Sequence, residues 1–277
     1  MSTLKKILRL GQMKETVKSA ITKNRSTYPV RMAHNVARFI EQAYENEGSD
    51  FTRNGEKELL SKLSKANFEI IFDVGANVGK WSQTALENWP NAHVHAFEVA
   101  PNTFRDLQSA FPANNKRITL NNVGVSDTED TQTMYYFADA PELTCDMPRH
   151  DLTSVPFEAK MVRLDNYCAK NGIEKIDFLK IDVEGAEYRV LNGFSDFLDA
   201  GKVNCLQFEY GPFAIDTRHL LADYFATLSK SFWIGKIFPG GVPFQDYHWT
   251  MEDFKFCNYF CVSRSRPDLK ALVERPQ

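Results

Sequence analysis

Residues 70–79 read Ile-Ile-Phe-Asp-Val-Gly-Ala-Asn-Val-Gly, and this stretch decides the fold of the chain. A short apolar run ends in Asp73, and a helical pattern begins near residue 80 after Gly75 and Gly79. This order predicts a buried strand that turns tightly into a helix, because glycine permits the turn and lets a ligand approach the backbone. The Gly-x-x-x-Gly spacing differs from the Gly-x-Gly-x-x-Gly turn that seats a pyrophosphate. Asp73 would also repel a phosphate, so the stretch favours a cationic ligand without phosphate, as S-adenosylmethionine is.

Strand patterns recur along the rest of the chain. Apolar runs that predict strands occupy residues 69–74, 93–98, 117–123, 176–182, 203–209, 232–238 and 258–263. Helix-period segments separate the first five, which indicates βαβ units and an α/β, Rossmann-like, mostly parallel seven-stranded sheet with helices on both faces. The turn-rich residues 239–243 separate the last two runs, so we expect the sheet to end with an antiparallel strand.

The same patterns divide the chain into three regions. We predict a helical extension over residues 1–66, with helices near 31–45 and 55–66. The Rossmann-like domain is predicted over residues 67–265, and residues 266–277 are predicted to form a tail. The domain carries an insertion, a loop at 138–160 between short strands at 133–137 and 161–164. Loops of this length are uncommon in compact domains, and a substrate lid and a merely decorative insertion are both open.

Composition and cysteine usage exclude several classes of protein. With 43% hydrophobic and 25% charged residues and a net charge of −3, the chain is neither disordered nor a nucleic-acid binder that works by bulk positive charge. We find neither a membrane-spanning apolar run nor a signal-peptide pattern. The five cysteines have no framework spacing, which suggests reduced thiols in a cytoplasmic protein.

Residues 1–25 form a basic leader. They hold seven Lys or Arg against Glu15 alone, a net charge of +6, and their apolar residues recur at roughly helical spacing. A basic amphipathic helix can make weak contact with an anionic membrane surface. The alternative, a solvated leader packed loosely on the domain, is the more usual meaning of a charge run.

Two further strand ends supply residues for a nucleoside. Glu98 ends the second strand, 19 residues after Gly79, at the distance where an acid grips a ribose diol in this kind of sheet. Asn122 and Val123, after the third strand, would border the adenine. Together with the glycine turn, these positions predict a cofactor site.

Acids gather at the next strand ends. Asp182 and Glu184 follow the fourth strand beside Lys180, and Glu209 follows the fifth. These three acids are the candidate catalytic residues, since an alcohol that accepts a methyl group must lose its proton to a base; Asp182 is the first choice for the base. His248 is a fourth candidate and ranks last. Asp182 and Glu209 could alternatively hold a divalent metal through oxygen ligands, but no zinc-type spacing is present and we expect no metal.

The motifs resemble a known family. Residues 73–79, the Lys-Ile-Asp-Val-Glu-Gly-Ala-Glu string at 180–187 and the Leu-Asp-Asn-Tyr at 164–167 are similar to the FkbM-type S-adenosylmethionine-dependent methyltransferases. The resemblance extends over about residues 44–265, including Asn-Gly-Glu at 54–56 and Asn-Tyr at 258–259. It implies a class I methyltransferase fold, methyl transfer to a hydroxyl oxygen and, often, sugar or polyketide acceptors. The family's cofactor residues correspond here to Asp73, Gly75, Asn77, Gly79 and Glu98, whereas Gly124 stands where many relatives carry alanine.

These observations predict an O-methyltransferase that uses S-adenosylmethionine and a hydroxyl acceptor on a glycan or a secondary metabolite, with no nucleic-acid partner. An NAD(P)-dependent oxidoreductase shares the architecture but would need the glycine fingerprint that is missing here. A module without catalytic activity would gain nothing from three acids around the cleft. The sequence leaves the oligomeric state and the acceptor open.

Overall fold

A computed structural model describes residues 3–148 and 152–275 of the chain, with side-chain surroundings from Gly11 onward. The chain forms two compact units, residues 1–47 and 48–277. None of the described helices combines the length and the apolar character that crossing a membrane requires.

The first unit consists of two helices. Helix α1 (Thr3–Lys23) continues through Gly11, and α2 (Tyr28–Tyr44) has Pro29 in its first turn, where a missing N–H costs no hydrogen bond. Helix α2 begins three residues before the predicted helix at 31–45. It has no buried residue.

The second unit alternates strands and helices. Its strands are β1 (Ile70–Val74), β2 (His93–Phe97), β3 (Ile118–Asn121), β4 (Gly124–Val125), β5 (Thr131–Phe137), β6 (Ser154–Val162), β7 (Ile176–Ile181), β8 (Val203–Tyr210), β9 (Phe232–Lys236) and β10 (Cys257–Ser263). Its helices are α3 (Glu56–Leu63), α4 (Lys80–Asn88), α5 (Pro101–Ala110), α6 (Leu164–Asn171), α7 (Glu187–Asn192), α8 (Ser195–Asp199), α9 (Phe213–Thr217), α10 (Leu221–Leu228) and α11 (Pro267–Val273), with single 3-10 turns at Pro141–Leu143 and Trp249–Met251.

Seven of these strands form one sheet, in the order β3-β2-β1-β7-β8-β10-β9. Strand β10 lies between β8 and β9 and is antiparallel to both, whereas the other pairings are parallel. The predicted α/β class I methyltransferase fold, with a mostly parallel seven-stranded sheet and a terminal antiparallel strand, is confirmed. Two hydrophobic clusters cover the two faces of the sheet.

The insertion differs from its prediction. Strand β6 already begins at Ser154 and pairs antiparallel with all of β5, so residues 154–160 are strand and only 138–153 connect the two. The pairing buries Met134, Ala159 and Met161 in a small cluster of their own, which explains why the strands extend beyond the predicted ends. Residues 149–151 of the predicted loop lie outside the described residues.

The boundaries of the domain also differ from the predicted ones. Helix α3, predicted as part of the extension, packs Leu59, Leu60 and Leu63 into the cluster on one face of the sheet. Helix α11, predicted as tail, buries Leu269 and Val273 in the same cluster. Because both helices cover the sheet, the second unit begins at Gly48 and includes the described part of the predicted tail; residues 276 and 277 lie outside the described residues.

Candidate active site

A cavity of about 280 Å³ opens at the carboxyl ends of the parallel strands. Such cavities in open α/β sheets are the usual ligand sites, and this volume suits a small molecule. Its wall brings together residues from the turns after β1, β2, β3, β7 and β8, from α3 and from the insertion: Ser49, Glu56, Gly75, Asn77, Phe97, Glu98, Val99, Val123, Gly124, Val125, Met134, Pro141, Glu142, Thr144, Met161, Asp182, Val183, Glu184, Ala186, Glu209 and Asn258.

The glycine turn after β1 forms one side of the cavity. Gly75 has a φ of 82°, and a Cβ there would lie 1.7 Å from the backbone oxygen of Asp182. Glycine is therefore required for the turn to lie against the end of β7. Gly79, also predicted to bind the cofactor, is instead the left-handed N-cap of α4 and packs against Leu107 and Phe111. It shapes the turn and is not part of the cavity wall of the described chain.

Asp73 is buried beneath the turn and does not face the cavity. Its side chain is fully inaccessible, its Oδ2 accepts a hydrogen bond of 2.6 Å from Ser82 Oγ, and its Oδ1 lies 3.5 Å from Lys180 Nζ. Burial raises the pKa of this carboxyl, against the opposing effect of Lys180. The structure therefore places Asp73 behind the cavity wall, next to Lys180, and its role in cofactor binding stays a prediction.

Lys180 connects this buried acid with the cavity. Its Nζ donates a 2.9 Å hydrogen bond to Asp182 Oδ2, and Asp182 faces the cavity with a third of its side chain exposed. Burial alone would lower the pKa of Lys180, but Asp182 and Asp73 together hold it above its ordinary value. The lysine is thus a fixed positive charge between two carboxylates.

Glu98 is held rigidly in the wall at the end of β2. Its Oε2 accepts the N–H of Asn77 and its Oε1 the N–H of Ala100, each at 2.9 Å. Burial raises the pKa of Glu98 to about 7. Each carboxylate oxygen has a second lone pair, so the side chain can still accept two hydroxyl groups. The structure thus places Glu98, Asn77 and Gly75 together, as the sequence predicted.

Two residues of the turn after β3 have different roles: one lines the cavity and the other bonds to the backbone of a neighbouring turn. Val123 lines the cavity, whereas Asn122 is exposed and donates to the backbone oxygens of Glu98 at 2.9 Å and Val99 at 3.2 Å. The Asn122 amide therefore ties the end of β3 to the end of β2 outside the cavity wall, and its contact with adenine stays a prediction.

Apolar residues of β5 and β6, the strands that flank the insertion, complete this part of the wall, and the sequence patterns did not identify them. Met134 and Met161 lie beside Val123 and Gly124 in the lining. A Cβ on Gly124 would lie 2.3 Å from Met161 Sδ, so the methionine takes the space that an alanine methyl group would need. This contact gives a physical reason why position 124 holds glycine where many relatives carry alanine.

The three candidate catalytic acids lie close together at the carboxyl ends of β7 and β8. One carboxylate oxygen from each of Asp182, Glu184 and Glu209 lies within 4.8 Å of the others. Glu209 Oε2 is buried and has no hydrogen-bond partner in the described part of the chain. Burial, followed by the charges of Asp182 and Glu184, raises the pKa of Glu209 well above its ordinary value. Such a group can accept a proton, and the three oxygens together could also hold a divalent cation.

A fourth acid of the cavity wall, Glu56, was missed as a site residue. It begins α3 and is 5% exposed, yet it lines the cavity. Asn54 and Asn258 donate side-chain hydrogen bonds to its Oε1, and Gln207 donates one to its Oε2. Burial raises the pKa of Glu56 as well. The only signal in the sequence was the Asn-Gly-Glu at 54–56, which entered through the resemblance and not through any spacing to the other acids.

His248 lies outside this constellation. The side chain is exposed, and its Nδ1 accepts the N–H of Thr250 at the start of a 3-10 turn. It caps a turn and is not among the residues described around the cavity, so its candidacy as a base is not supported.

The insertion borders the cavity and is fastened to the domain. Pro141, Glu142 and Thr144 belong to the wall. The Arg189 guanidinium on α7 donates to Asp127 Oδ1 at 3.0 Å and to Asp146 Oδ2, in the insertion, at 3.2 Å. The segment is therefore part of the site and more than a decoration.

Comparison with known proteins identifies the family. The model of the family described as "Methyltransferase FkbM domain" matches residues 73–230, more than half of the chain. The chain belongs to the FkbM methyltransferase family. This span contains the glycine turn, Glu98 and the three clustered acids, whereas Glu56 lies before it.

Curated relatives agree with this membership. The chain is 31% identical over 156 residues to "31-O-demethyl-FK506 methyltransferase FkbM" of Streptomyces tacrolimicus, a match that covers 46% of this FkbM-family chain and 60% of that relative. It is 27% identical over 201 residues to "2-O-methyltransferase NoeI" of Sinorhizobium fredii, covering 67% and 81% of the two chains. Among solved structures, methyltransferase FkbM from Methylobacillus flagellatus is similar at 18% identity with a TM-score of 0.42, covering 70% of this chain and 43% of that one.

Proposed function

We propose that this FkbM-family protein is an S-adenosylmethionine-dependent O-methyltransferase that acts on a hydroxyl group of a sugar, a glycan or a secondary metabolite. The observation that carries the proposal is Glu98, fixed by two backbone N–H groups in the wall beside the Gly75 turn. Two of its relatives, a 2-O-methyltransferase and a 31-O-demethyl-FK506 methyltransferase, support oxygen as the methyl acceptor by their names.

The lining residues fit this cofactor chemically. Glu98 would accept the two ribose hydroxyls, since its oxygens keep lone pairs directed away from Asn77 and Ala100. Val123, Met134 and Met161 provide an apolar surface for the adenine. The acids at the other end suit an ammonium and a sulfonium group. When bound, the cofactor supplies a methyl group on positively charged sulfur, which is already a good leaving group.

Glu209 and Asp182 have different roles toward the acceptor hydroxyl in this proposal. We propose that Glu209 takes the proton of the acceptor hydroxyl, because its Oε2 is buried in the cavity wall without a hydrogen-bond partner among the described residues. The sequence ranked Asp182 first, but Asp182 is already engaged by Lys180 at 2.9 Å. A positive charge in the cavity would lower the raised pKa of Glu209 and so ionise the base when the site is filled. Asp182 then orients the hydroxyl.

A thermal-shift comparison tests the cofactor class. S-adenosylhomocysteine should raise the melting temperature of the full chain, since a ligand of the native state stabilises it, whereas NAD⁺ at the same concentration should not. Stabilisation by NAD⁺ alone would instead support the oxidoreductase reading of the fold.

A transfer assay tests the reaction. Incubation with the methyl-labelled cofactor and fractionated cell glycans or metabolite extracts should label a hydroxylated acceptor, whereas failure to label any fraction would favour a non-catalytic module. Added EDTA should leave the rate unchanged if the acids act as base and orienting group. Loss of the rate with EDTA and its recovery with Mg²⁺ would make Asp182, Glu184 and Glu209 metal ligands instead.

A cytoplasmic location is part of the same proposal. The five cysteines are free thiols and all are buried. Unpaired thiols are typical of reducing compartments, where S-adenosylmethionine is also available to an enzyme.

A further inference from the structure

The helical unit, residues 1–47, exposes most of the large apolar side chains found on the surface of the described chain, all between Met13 and Tyr44. Nine of the thirteen exposed large hydrophobic residues lie there: Met13, Val17, Ile21, Tyr28, Met32, Val36, Phe39, Ile40 and Tyr44. Phe39 is 69% exposed and Tyr44 79%. Single exposed apolar residues are normal on protein surfaces, but a contiguous group of them marks an interaction surface.

These residues form stripes along the two helices. On α2, Tyr28, Met32, Val36 and Phe39 follow one another at spacings of four, four and three, which places them on one face of a helix. On α1, Met13, Val17 and Ile21 repeat every four residues. Both stripes are exposed, so no part of the described chain covers them.

Basic side chains flank the apolar stripe of α2. Arg31 and Arg38 lie seven residues apart, and each directly precedes a stripe residue, Met32 or Phe39, so at 3.6 residues per turn both lie along one edge of the stripe. On α1, Lys14 and Lys18 are neighbours of the apolar stripe and line an apolar groove with Met13, Val17 and Ile21. Each helix therefore combines an apolar stripe with basic side chains beside it.

The charge decides which partner fits. The helical unit carries nine Lys or Arg against four Glu, a net charge of +5. Two copies of this surface would bring like charges together, whereas an anionic lipid surface attracts them. Amphipathic helices with basic polar faces and exposed aromatic and aliphatic side chains lie in the plane of a membrane interface, with the apolar face among the acyl chains.

We propose that the helical unit binds the surface of an anionic membrane, with the apolar stripes of α1 and α2 inserted among the lipids and the basic residues at the headgroups. The unit would hold the methyltransferase unit at that surface. This inference concerns where the protein acts and is independent of the reaction proposed above.

Vesicle co-sedimentation of the full chain tests the proposal. The protein should sediment with vesicles of two parts phosphatidylcholine to one part phosphatidylglycerol, remain in solution with phosphatidylcholine alone, and dissociate from the mixed vesicles at high salt. The double variant Val36→Glu/Phe39→Glu should reduce partitioning roughly tenfold or more, because charges replace two apolar side chains that would insert among the lipids. Glutamate is a good helix former, so the helix itself is kept.

Two further variants separate the contributions. Lys14→Glu/Lys18→Glu should also reduce partitioning roughly tenfold or more, since each basic residue near an anionic surface adds to binding. Ile215→Glu, at a residue 61% exposed in the other unit, is the matched control and should bind as the wild type does. The shift in melting temperature with S-adenosylhomocysteine should be the same in all variants, which shows that the second unit is folded.

Several outcomes would overturn the proposal. These are no sedimentation with the mixed vesicles, the same loss in Ile215→Glu as in the stripe variant, or binding to both kinds of vesicle that salt does not affect. A dimer in solution that Val36→Glu/Phe39→Glu converts to a monomer would show that a second copy covers the stripes, and would equally contradict membrane binding.

Discussion

The two units of the chain treat charged and apolar side chains in opposite ways. In residues 48–277, Glu56, Asp73, Glu98 and Lys180 are all less than a tenth exposed, at the end of the sheet where the cavity opens. In the helical unit, large apolar side chains face solvent and the charged ones are solvated. Burying charges and exposing apolar surface both oppose stability, so each arrangement is expected where a ligand or a surface will use it.

The largest effect is expected on turnover, from the acid pair in the cavity. Glu209→Gln keeps the shape of the side chain but cannot take a proton as a carboxylate does, so the turnover number should fall by roughly 10²–10⁴-fold. Asp182→Asn should mainly raise the Michaelis constant of the acceptor. Steady-state kinetics on the acceptor found in the labelling screen measure both. If the two outcomes are reversed, Asp182 is the base, as the sequence first predicted.

The next largest effect concerns stability. Lys180→Met leaves Asp73 buried without its counter-charge, and removal of one partner from a buried ion pair costs about 3–5 kcal/mol. For a chain of this size the melting temperature should fall by roughly 6–20 °C. The double variant Asp73→Asn/Lys180→Met removes both charges and should recover part of the loss. An undiminished loss in the double variant would show that Lys180 stabilises through packing alone.

A smaller effect is expected at Gly124. Gly124→Ala would place its methyl group against Met161 Sδ, and overpacking costs about 1–3 kcal/mol. The cost should lie near the lower limit because the methionine can move, and it should vanish in the Met161→Val background, where the space is open. Calorimetric melting of the four proteins of this cycle measures the coupling. If Gly124→Ala destabilises the wild type and the Met161→Val protein equally, contact with Met161 does not explain the glycine.

The smallest effect is expected in the helical unit. Phe39→Glu should change neither the affinity for S-adenosylhomocysteine nor the free energy of unfolding of the second unit by more than about 0.5 kcal/mol, since the residue is exposed. Titration calorimetry and thermal melting check this. A large loss in either would mean that the exposed stripe supports the methyltransferase unit and would weaken the contrast between the units.

The predictable part of this molecule rests on local signals. The strand–glycine–helix order at residues 70–79 and an acid at the end of the next strand are read from neighbouring residues, and both lie where the sequence predicted. The parallel order of the sheet follows from strands that alternate with helices.

The unpredicted part depends on residues distant in the chain. Glu56 reaches the site because Gln207, 151 residues later, donates a hydrogen bond to it, and no spacing in the sequence encodes that pairing. Met161 forms part of the wall because β6 pairs with both β4 and β5. The position of Asp73 near the end of a strand predicted that it binds the cofactor. In the structure Asp73 lies within β1, paired with Lys180 on the neighbouring strand β7.

The pH dependence of cofactor binding tests whether Glu98 binds the ribose hydroxyls of S-adenosylmethionine. Because burial raises the pKa of Glu98 to about 7, and ribose hydroxyls donate to the ionised form, binding should lower this pKa and strengthen as the pH rises through 7. Titration calorimetry with S-adenosylhomocysteine should give an affinity roughly tenfold weaker at pH 6 than at pH 8. Glu98→Gln should bind more weakly than the wild type at pH 8 and show no such dependence. Wild-type affinity that is the same at both pH values, or an equal dependence in Glu98→Gln, would show that the Glu98 carboxylate does not hold the ribose.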